Sequence, residues 1–120
     1  MQERKNQSFR TRLRFALAGL AHGFRSERSL RTQALALVLV LAGLLLLRPP
    51  PLWWAVVLLA AATVLAAELF NTAIERLADH LHPQLHAEIR IVKDCAAAAV
   101  LCLAIAAVGV AIALLWQQLA

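Results

Sequence analysis

The middle of the chain carries a long apolar run that continues into an acidic segment without an intervening turn residue. Ala55 to Ala67 is apolar apart from Thr63. Four polar side chains then follow at positions i, i+3, i+7 and i+11: Glu68, Asn71, Glu75 and Asp79. On a helix of 3.6 residues per turn, this spacing places them in one stripe, which we call the acidic stripe. A carboxylate at membrane depth costs several kcal/mol unless it is paired, protonated, metal-bound or facing water. The stripe therefore predicts a functional site.

Three apolar runs reach the roughly 20 residues needed to span a membrane. They cover about Gln33 to Leu47, extended at its start by Leu30, then Leu52 to Ala67 with the acidic stripe, and Cys95 to Trp116. The chain has 120 residues, of which 62% are hydrophobic, and a mean hydropathy of +0.70. A soluble domain averages roughly 45–50% apolar residues. The sequence therefore predicts one all-α membrane domain over residues 1–120, with transmembrane helices at about 30–47, 52–78 and 93–117.

The predicted spans are joined by two different connections. Arg48-Pro49-Pro50-Pro51 removes successive backbone donors, which predicts a tight extended link. Trp53 and Trp54 follow it, as is typical of residues at a membrane interface. The second connection, about His80 to Val92, is polar, and we expect it to be the loop that meets soluble ligands.

Basic residues are concentrated at the N-terminal end. Of 12 Lys and Arg residues, eight precede Gln33 and none follows Lys93. The positive-inside rule predicts a cytoplasmic N-terminus and a cytoplasmic second loop. Phe9 to Phe24 alternates arginines with apolar residues, which predicts a basic amphipathic helix, at about residues 9–24, lying on the inner leaflet. A cleavable signal peptide is the rival interpretation, but no compact apolar stretch with a cleavage site follows early enough.

The net charge of +5 raises the possibility of a nucleic-acid partner. The basic residues flank membrane segments and lack the interleaved aromatic residues that stack on bases, so we expect no nucleic-acid binding. Anionic lipid head groups account for them better.

Two more polar segments lie on the same predicted side of the membrane as the acidic stripe: Glu27 to Gln33, before the first span, and Lys93-Asp94, before the third. We expect the three sites to converge. Glu27, Glu75 and also Asp79 offer oxygen ligands suited to magnesium. Arg31 and Lys93 offer positive charge to phosphate. This combination suits phosphoryl transfer, which needs positioning, charge neutralisation and an acceptor for the hydroxyl proton. Glu68 is placed for a hydroxyl presented from the bilayer.

Simpler interpretations of the same residues stay open. Glu75, Arg76 and Asp79 also fit a solvated helix end, and Lys93 and Asp94 also fit interfacial charges. The loop histidines lack a closed set of zinc ligands: His80, His82 and His86. The sequence contains no glycine-rich phosphate loop and no nucleophile elbow. Two further function classes remain, a small proton-coupled transporter that uses Glu68 as the proton carrier and a structural assembly subunit.

Residues 68–79 fit the pattern Glu-x-hydrophobic-Asn-Ser/Thr-Ala/Ser-Ile-Glu-x-x-hydrophobic-Asp, with a small Ala78 at the last hydrophobic position. Phe15 to Leu20, Glu27 to Arg31 and Lys93 to Leu101 add matching segments. In these segments the chain resembles the small prokaryotic diacylglycerol kinases, which include the undecaprenol kinases of Gram-positive bacteria. The resemblance covers about Phe9 to Trp116.

The resemblance implies a homotrimer in the bacterial cytoplasmic (inner) membrane, with three spans and an amphipathic surface helix in each subunit. It also implies active sites shared between subunits at the cytoplasmic interface. The implied reaction is Mg²⁺-dependent transfer of phosphate from ATP to a membrane lipid alcohol, most simply diacylglycerol to phosphatidic acid. Undecaprenol is the alternative substrate. Thr32-Gln33 replaces the Gln-Glu of enteric diacylglycerol kinases, and the preceding Glu-Arg-Ser-Leu-Arg is closer to the undecaprenol kinase branch.

The resemblance also implies roles for individual residues. Glu68 would act as the base that activates the lipid hydroxyl, and Asn71 would orient the reacting groups. Glu27 and Glu75 would bind the magnesium ions on ATP. The remaining implied ATP-binding residues are Phe15, which stands where relatives often carry a tyrosine, His86, Lys93 and Asp94. The lipid-substrate residues are Arg31, Gln33, Glu68 and Ala97.

Overall fold

A computed structural model describes residues 6–120 of the chain. This part of the chain is all-helical, as predicted. Its four helices, in chain order, are α1 (Phe9–Ser26), α2 (Arg28–Leu47), α3 (Pro51–Leu81) and α4 (Ala87–Leu119). The helices α2, α3 and α4 are long and apolar enough to cross a membrane, which confirms the predicted number of candidate spans within the described residues. Arg4 and Lys5, which contribute to the N-terminal charge, lie outside those residues.

Residues at the helix ends define the start of α1 and the connections from α1 to α2 and from α2 to α3. Ser8 caps α1, because its side chain accepts a hydrogen bond from the Thr11 amide at 3.3 Å. Glu27 alone separates α1 from α2, with an extended backbone at φ −114° and ψ 118°. Arg48 ends α2 in the left-handed conformation at φ 47°. Pro51 then opens α3 at a position where proline is favoured, so the predicted tight connection is confirmed.

The connection between α3 and α4 is shorter than predicted. The expected polar loop at about His80 to Val92 is wrong in extent, since α3 runs to Leu81 and α4 already begins at Ala87. His86 caps α4, because its Nδ1 accepts a hydrogen bond from the Glu88 amide at 3.1 Å. The acidic side chain of Glu88 also suits the positive end of the helix dipole. Polar residues near these two helix ends, such as His80 and Glu88, are exposed and lie within the helices.

The helices pack mainly around α3, which contacts α4 along much of its length, while α2 also lies on α3 and α1 crosses both α2 and α3. A small buried cluster joins the three long helices: Leu44, Val57 and Leu114. Between the same helices runs an apolar groove with a volume of about 480 Å³ that extends from Gln33 to Leu115. We call it the apolar groove.

The outer surfaces of the long helices are strongly apolar. Leu46, Leu59 and Ile105 are 83%, 67% and 63% exposed, and many more large apolar side chains are also exposed. Apolar surfaces of this extent mark contact with lipid or with other protein chains. The helix α1 also exposes Phe9 and Leu13, at a four-residue spacing.

Candidate functional site

The acidic stripe runs along the last turns of α3, from a buried end to an exposed end. Glu68 is 8% exposed, Asn71 and Glu75 are half-buried, and the Asp79 side chain is 63% exposed. At 1.5 Å per residue, the eleven steps from Glu68 to Asp79 span roughly 16 Å along the helix axis. Thr72 lies on the same side of α3 and is 7% exposed. The stripe therefore connects a buried carboxylate to a solvent-exposed one.

At the buried end, a hydroxyl group from α2 contacts the stripe. The Ser29 side chain donates a hydrogen bond to Oε2 of Glu68 at 3.2 Å. This bond joins the first turn of α2 to α3. Ser29 was missing from the residues that the sequence singled out, although it lies within the polar segment predicted to converge on the stripe. Which of its residues faces the stripe depends on the rotation of α2, and the sequence does not provide that rotation.

The middle of the stripe holds an amide and a carboxylate in contact. Nδ2 of Asn71 donates to Oε1 of Glu75 at 3.3 Å, while Oδ1 of Asn71 is buried without a hydrogen-bond partner. An unpartnered oxygen beside a carboxylate suits Mg²⁺, which favours hard oxygen ligands and takes the rest of its shell from water and phosphate. Glu27 is half-buried at the junction of α1 and α2. No three His, Cys, Asp or Glu side chains within residues 6–120 come together as a metal site.

At the exposed end, the start of α4 contacts the stripe. Nζ of Lys93 donates to Oδ1 of Asp79 at 2.5 Å, and both side chains are open to solvent. Both residues line a polar pocket of about 450 Å³ at the α3–α4 connection, together with His86 and Asp94. The ring of His82 packs edge-on against His86 with centroids 5.2 Å apart. Three of the residues that the sequence assigned to the nucleotide, His86, Lys93 and Asp94, therefore line one pocket.

The end of α1 packs against the side of the stripe. Gly23 is buried where α1 meets Leu30 and Leu69, and the Arg76 guanidinium group donates to Nε2 of His22. The contact through His22 was also missing from the sequence interpretation. Nη1 of Arg31 donates to two backbone carbonyl oxygens at the end of α1, at 3.1 and 3.0 Å. Arg31 was predicted to interact with phosphate and with the lipid. In the structure its side chain binds the C-terminal end of α1.

The expected convergence of the three polar segments is seen at two contacts, because Ser29 of α2 bonds Glu68 and Lys93 of α4 bonds Asp79. The helix α1 lies beside the stripe, where His22 bonds Arg76. The other assigned residues lie around these contacts. Gln33 is half-buried at the end of the apolar groove, and Phe15 is half-buried on α1. Ala97 is exposed on α4, one turn beyond Lys93.

Comparison with known proteins identifies the family. The chain is 40% identical over 96 residues to a protein from Synechocystis sp. named diacylglycerol kinase, and the alignment covers 79% of this chain and 55% of that protein. The chain thus spans about half the length of this curated relative. Residues 14–115 match the family model for prokaryotic diacylglycerol kinase, from the first half of α1 to near the end of α4 and across the whole acidic stripe. By this match over most of its length, the chain belongs to the prokaryotic diacylglycerol kinase family.

Proposed function

We propose that this chain is an ATP-dependent lipid kinase that transfers the γ-phosphate of ATP to the hydroxyl group of a membrane lipid, with diacylglycerol as the first candidate and phosphatidic acid as its product. The observation that carries the proposal is the course of the acidic stripe. It begins at a buried carboxylate on a helix long enough to span a membrane, and it ends beside a polar pocket open to water. The family match and the name of the relative support this reaction.

The nucleotide binds at the exposed end of the stripe. Lys93 supplies a compact positive charge, which leaves Asp79 to bind a phosphate oxygen. His86 and Asp94 line the same pocket and hold the rest of the nucleotide, with Phe15 on α1 as a further contact.

The phosphate groups lie along the middle of the stripe. Glu75 and Glu27 would hold the metal ions on ATP, and the unpartnered Oδ1 of Asn71 would offer one more oxygen beside Glu75. When bound, Mg²⁺ neutralises charge on the transferring phosphate. Asn71 keeps the Glu75 carboxylate in place through its amide nitrogen, at 3.3 Å.

The lipid hydroxyl meets Glu68 at the buried end. The Glu68 carboxylate accepts the hydroxyl proton. The lipid oxygen then forms a bond to the γ-phosphorus while the bond from that phosphorus to the bridging oxygen breaks and ADP leaves. The lipid chains lie on the apolar side of this end, where Gln33 lines the apolar groove. The family resemblance alone assigns Arg31 and Ala97 to the lipid.

We place the protein in the cytoplasmic (inner) membrane of a bacterium, as a homotrimer. The N-terminus and the connection between α3 and α4 are cytoplasmic, and α1 lies on the inner leaflet. The distribution of Lys and Arg supports this orientation. The exposed apolar surfaces and the apolar groove support packing against lipid and further copies. The resemblance to the family supports active sites that neighbouring copies share.

The test is transfer of radiolabelled phosphate from ATP in mixed micelles that contain diacylglycerol or undecaprenol. We expect labelled diacylglycerol, and loss of the label in both Glu68→Ala and the isosteric Glu68→Gln. Label in undecaprenol alone would support the proposed reaction with undecaprenol as the substrate. The Thr32-Gln33 pair, which differs from the Gln-Glu of enteric diacylglycerol kinases, is consistent with that outcome. A folded wild-type protein that binds no ATP and labels neither lipid would overturn the proposal and favour a proton-coupled transporter.

A further inference from the structure

The carboxylate at the buried end of the acidic stripe is bonded to a residue with no role in the proposed reaction so far. Ser29 lies in the first turn of α2, and its hydroxyl group donates to Oε2 of Glu68 at 3.2 Å. Resting on the proposed function, we infer that Ser29 is a positioning residue, which fixes the Glu68 carboxylate so that its other oxygen faces the lipid hydroxyl.

The hydrogen bond from Ser29 restricts the orientation of the Glu68 carboxylate. A glutamate side chain turns about three bonds, so an unheld carboxylate samples several orientations. The bond from Ser29 favours the orientations in which Oε2 points towards α2, and bonds to an ionised acceptor are stronger than neutral ones. Misplacing a catalytic group by about 1 Å can lower a rate by roughly 10²-fold. Holding Glu68 therefore bears directly on turnover.

Ser29 differs in its bonding from the other hydroxyl residues at this corner of the molecule. The Ser26 hydroxyl donates to the His22 carbonyl oxygen at 2.9 Å, and the Thr32 hydroxyl donates to the Arg28 carbonyl oxygen at 3.1 Å. Both bonds stay within one helix. Ser29 instead reaches a carboxylate 39 positions away on another helix, so its contact is specific to Glu68.

The exposure of the two partners adds a second argument. Ser29 is exposed and Glu68 is 8% exposed, so the bond joins an accessible residue of α2 to the carboxylate proposed to accept the lipid proton. Ser29 does not line the polar pocket assigned to the nucleotide. The effect of Ser29 should therefore appear in the step that involves the lipid and leave nucleotide binding unchanged.

The experiment compares Ser29→Thr with Ser29→Val in the full chain, because the two side chains have nearly the same shape and valine carries a methyl group in place of the hydroxyl group. Phosphate transfer to diacylglycerol in mixed micelles gives kcat and the KM for ATP. We expect the Thr variant to stay within about threefold of the wild type and the Val variant to lose roughly tenfold in kcat, with an unchanged KM for ATP. Ser26→Ala is the matched control, and we expect it to leave kcat unchanged.

Each result has a definite meaning. A Val variant with the kcat of the Thr variant would overturn the role of Ser29 alone, and so would an equal loss of kcat in Ser26→Ala. A change confined to the KM for ATP would also overturn it, because a base-positioning residue acts after the nucleotide binds. If the wild type transfers no phosphate to either lipid, the proposed function fails, and the role of Ser29 fails with it.

Discussion

Replacement of Gly23 by alanine tests how α1 lies against the rest of the molecule. A Cβ atom at this position would stand 2.7 Å from Cδ1 of Leu30 and 3.1 Å from Cδ2 of Leu69. Leu30 is fully buried, so it has little room to move away. Overpacking of this kind destabilises a protein by about 1–3 kcal/mol, whereas the better helix propensity of alanine returns roughly 1 kcal/mol. The net expectation for Gly23→Ala is a loss of up to about 2 kcal/mol.

Gly19 provides the matched control on the same helix. A Cβ atom there meets nothing within 4 Å, so Gly19→Ala should gain stability by roughly 1 kcal/mol from helix propensity alone. The difference between the two variants isolates the contact with Leu30 and Leu69, at about 1–3 kcal/mol. Thermal unfolding in detergent micelles, followed by circular dichroism, measures it as a separation of the midpoints. A Gly23→Ala midpoint equal to or above that of Gly19→Ala would refute the packing of α1 described above.

Three further substitutions test the acidic stripe. Glu68→Ala should lower turnover by roughly 10²–10⁴-fold with ATP binding retained, because it removes the proton acceptor; normal turnover would refute that role. Glu75→Gln should weaken Mg²⁺ and nucleotide binding together, since it removes a ligand charge, and an unchanged magnesium dependence in the kinase assay would contradict this. Lys93→Met should raise the KM for ATP by about tenfold and change the unfolding midpoint little, because exposed ion pairs contribute about 0–1 kcal/mol. A large loss of stability with an unchanged KM for ATP would show that Lys93 stabilises the fold and does not bind the nucleotide.

The helices and the arrangement of the acidic stripe could be predicted from the sequence, because both depend on local periodicity. Apolar runs of spanning length, a proline-rich link and a 3.6-residue spacing are all properties of neighbouring residues. The start of α4 was missed for the same reason. Polar residues at a helix end resemble a loop in sequence, and the cap at His86 becomes visible only when its ring is seen to accept from the Glu88 amide.

The contacts between helices could not be predicted from the sequence. Spacing tells which residues share a face, but the partner of that face depends on how the helices cross. Here the extended backbone at Glu27 sets the angle between α1 and α2, and that angle brings His22 to Arg76 and turns Arg31 towards the end of α1. The pairing of Ser29 with Glu68 depends in addition on the rotation of α2 over α3.

The gradient of exposure along the acidic stripe fits the proposed reaction, in which one helix would serve two substrates that prefer different solvents. ATP is too polar to enter hydrocarbon, and a lipid hydroxyl stays near the membrane surface because its chains remain in the bilayer. The proposed transfer therefore needs protein groups on both sides of that boundary in a fixed relation. A single rigid helix provides this relation, since Glu68 is 8% exposed and the Asp79 side chain is 63% exposed, roughly 16 Å apart along one axis. Glu75 lies between them, where the proposed transfer places the phosphate, and Ser29 and Lys93 connect the two ends to the neighbouring helices.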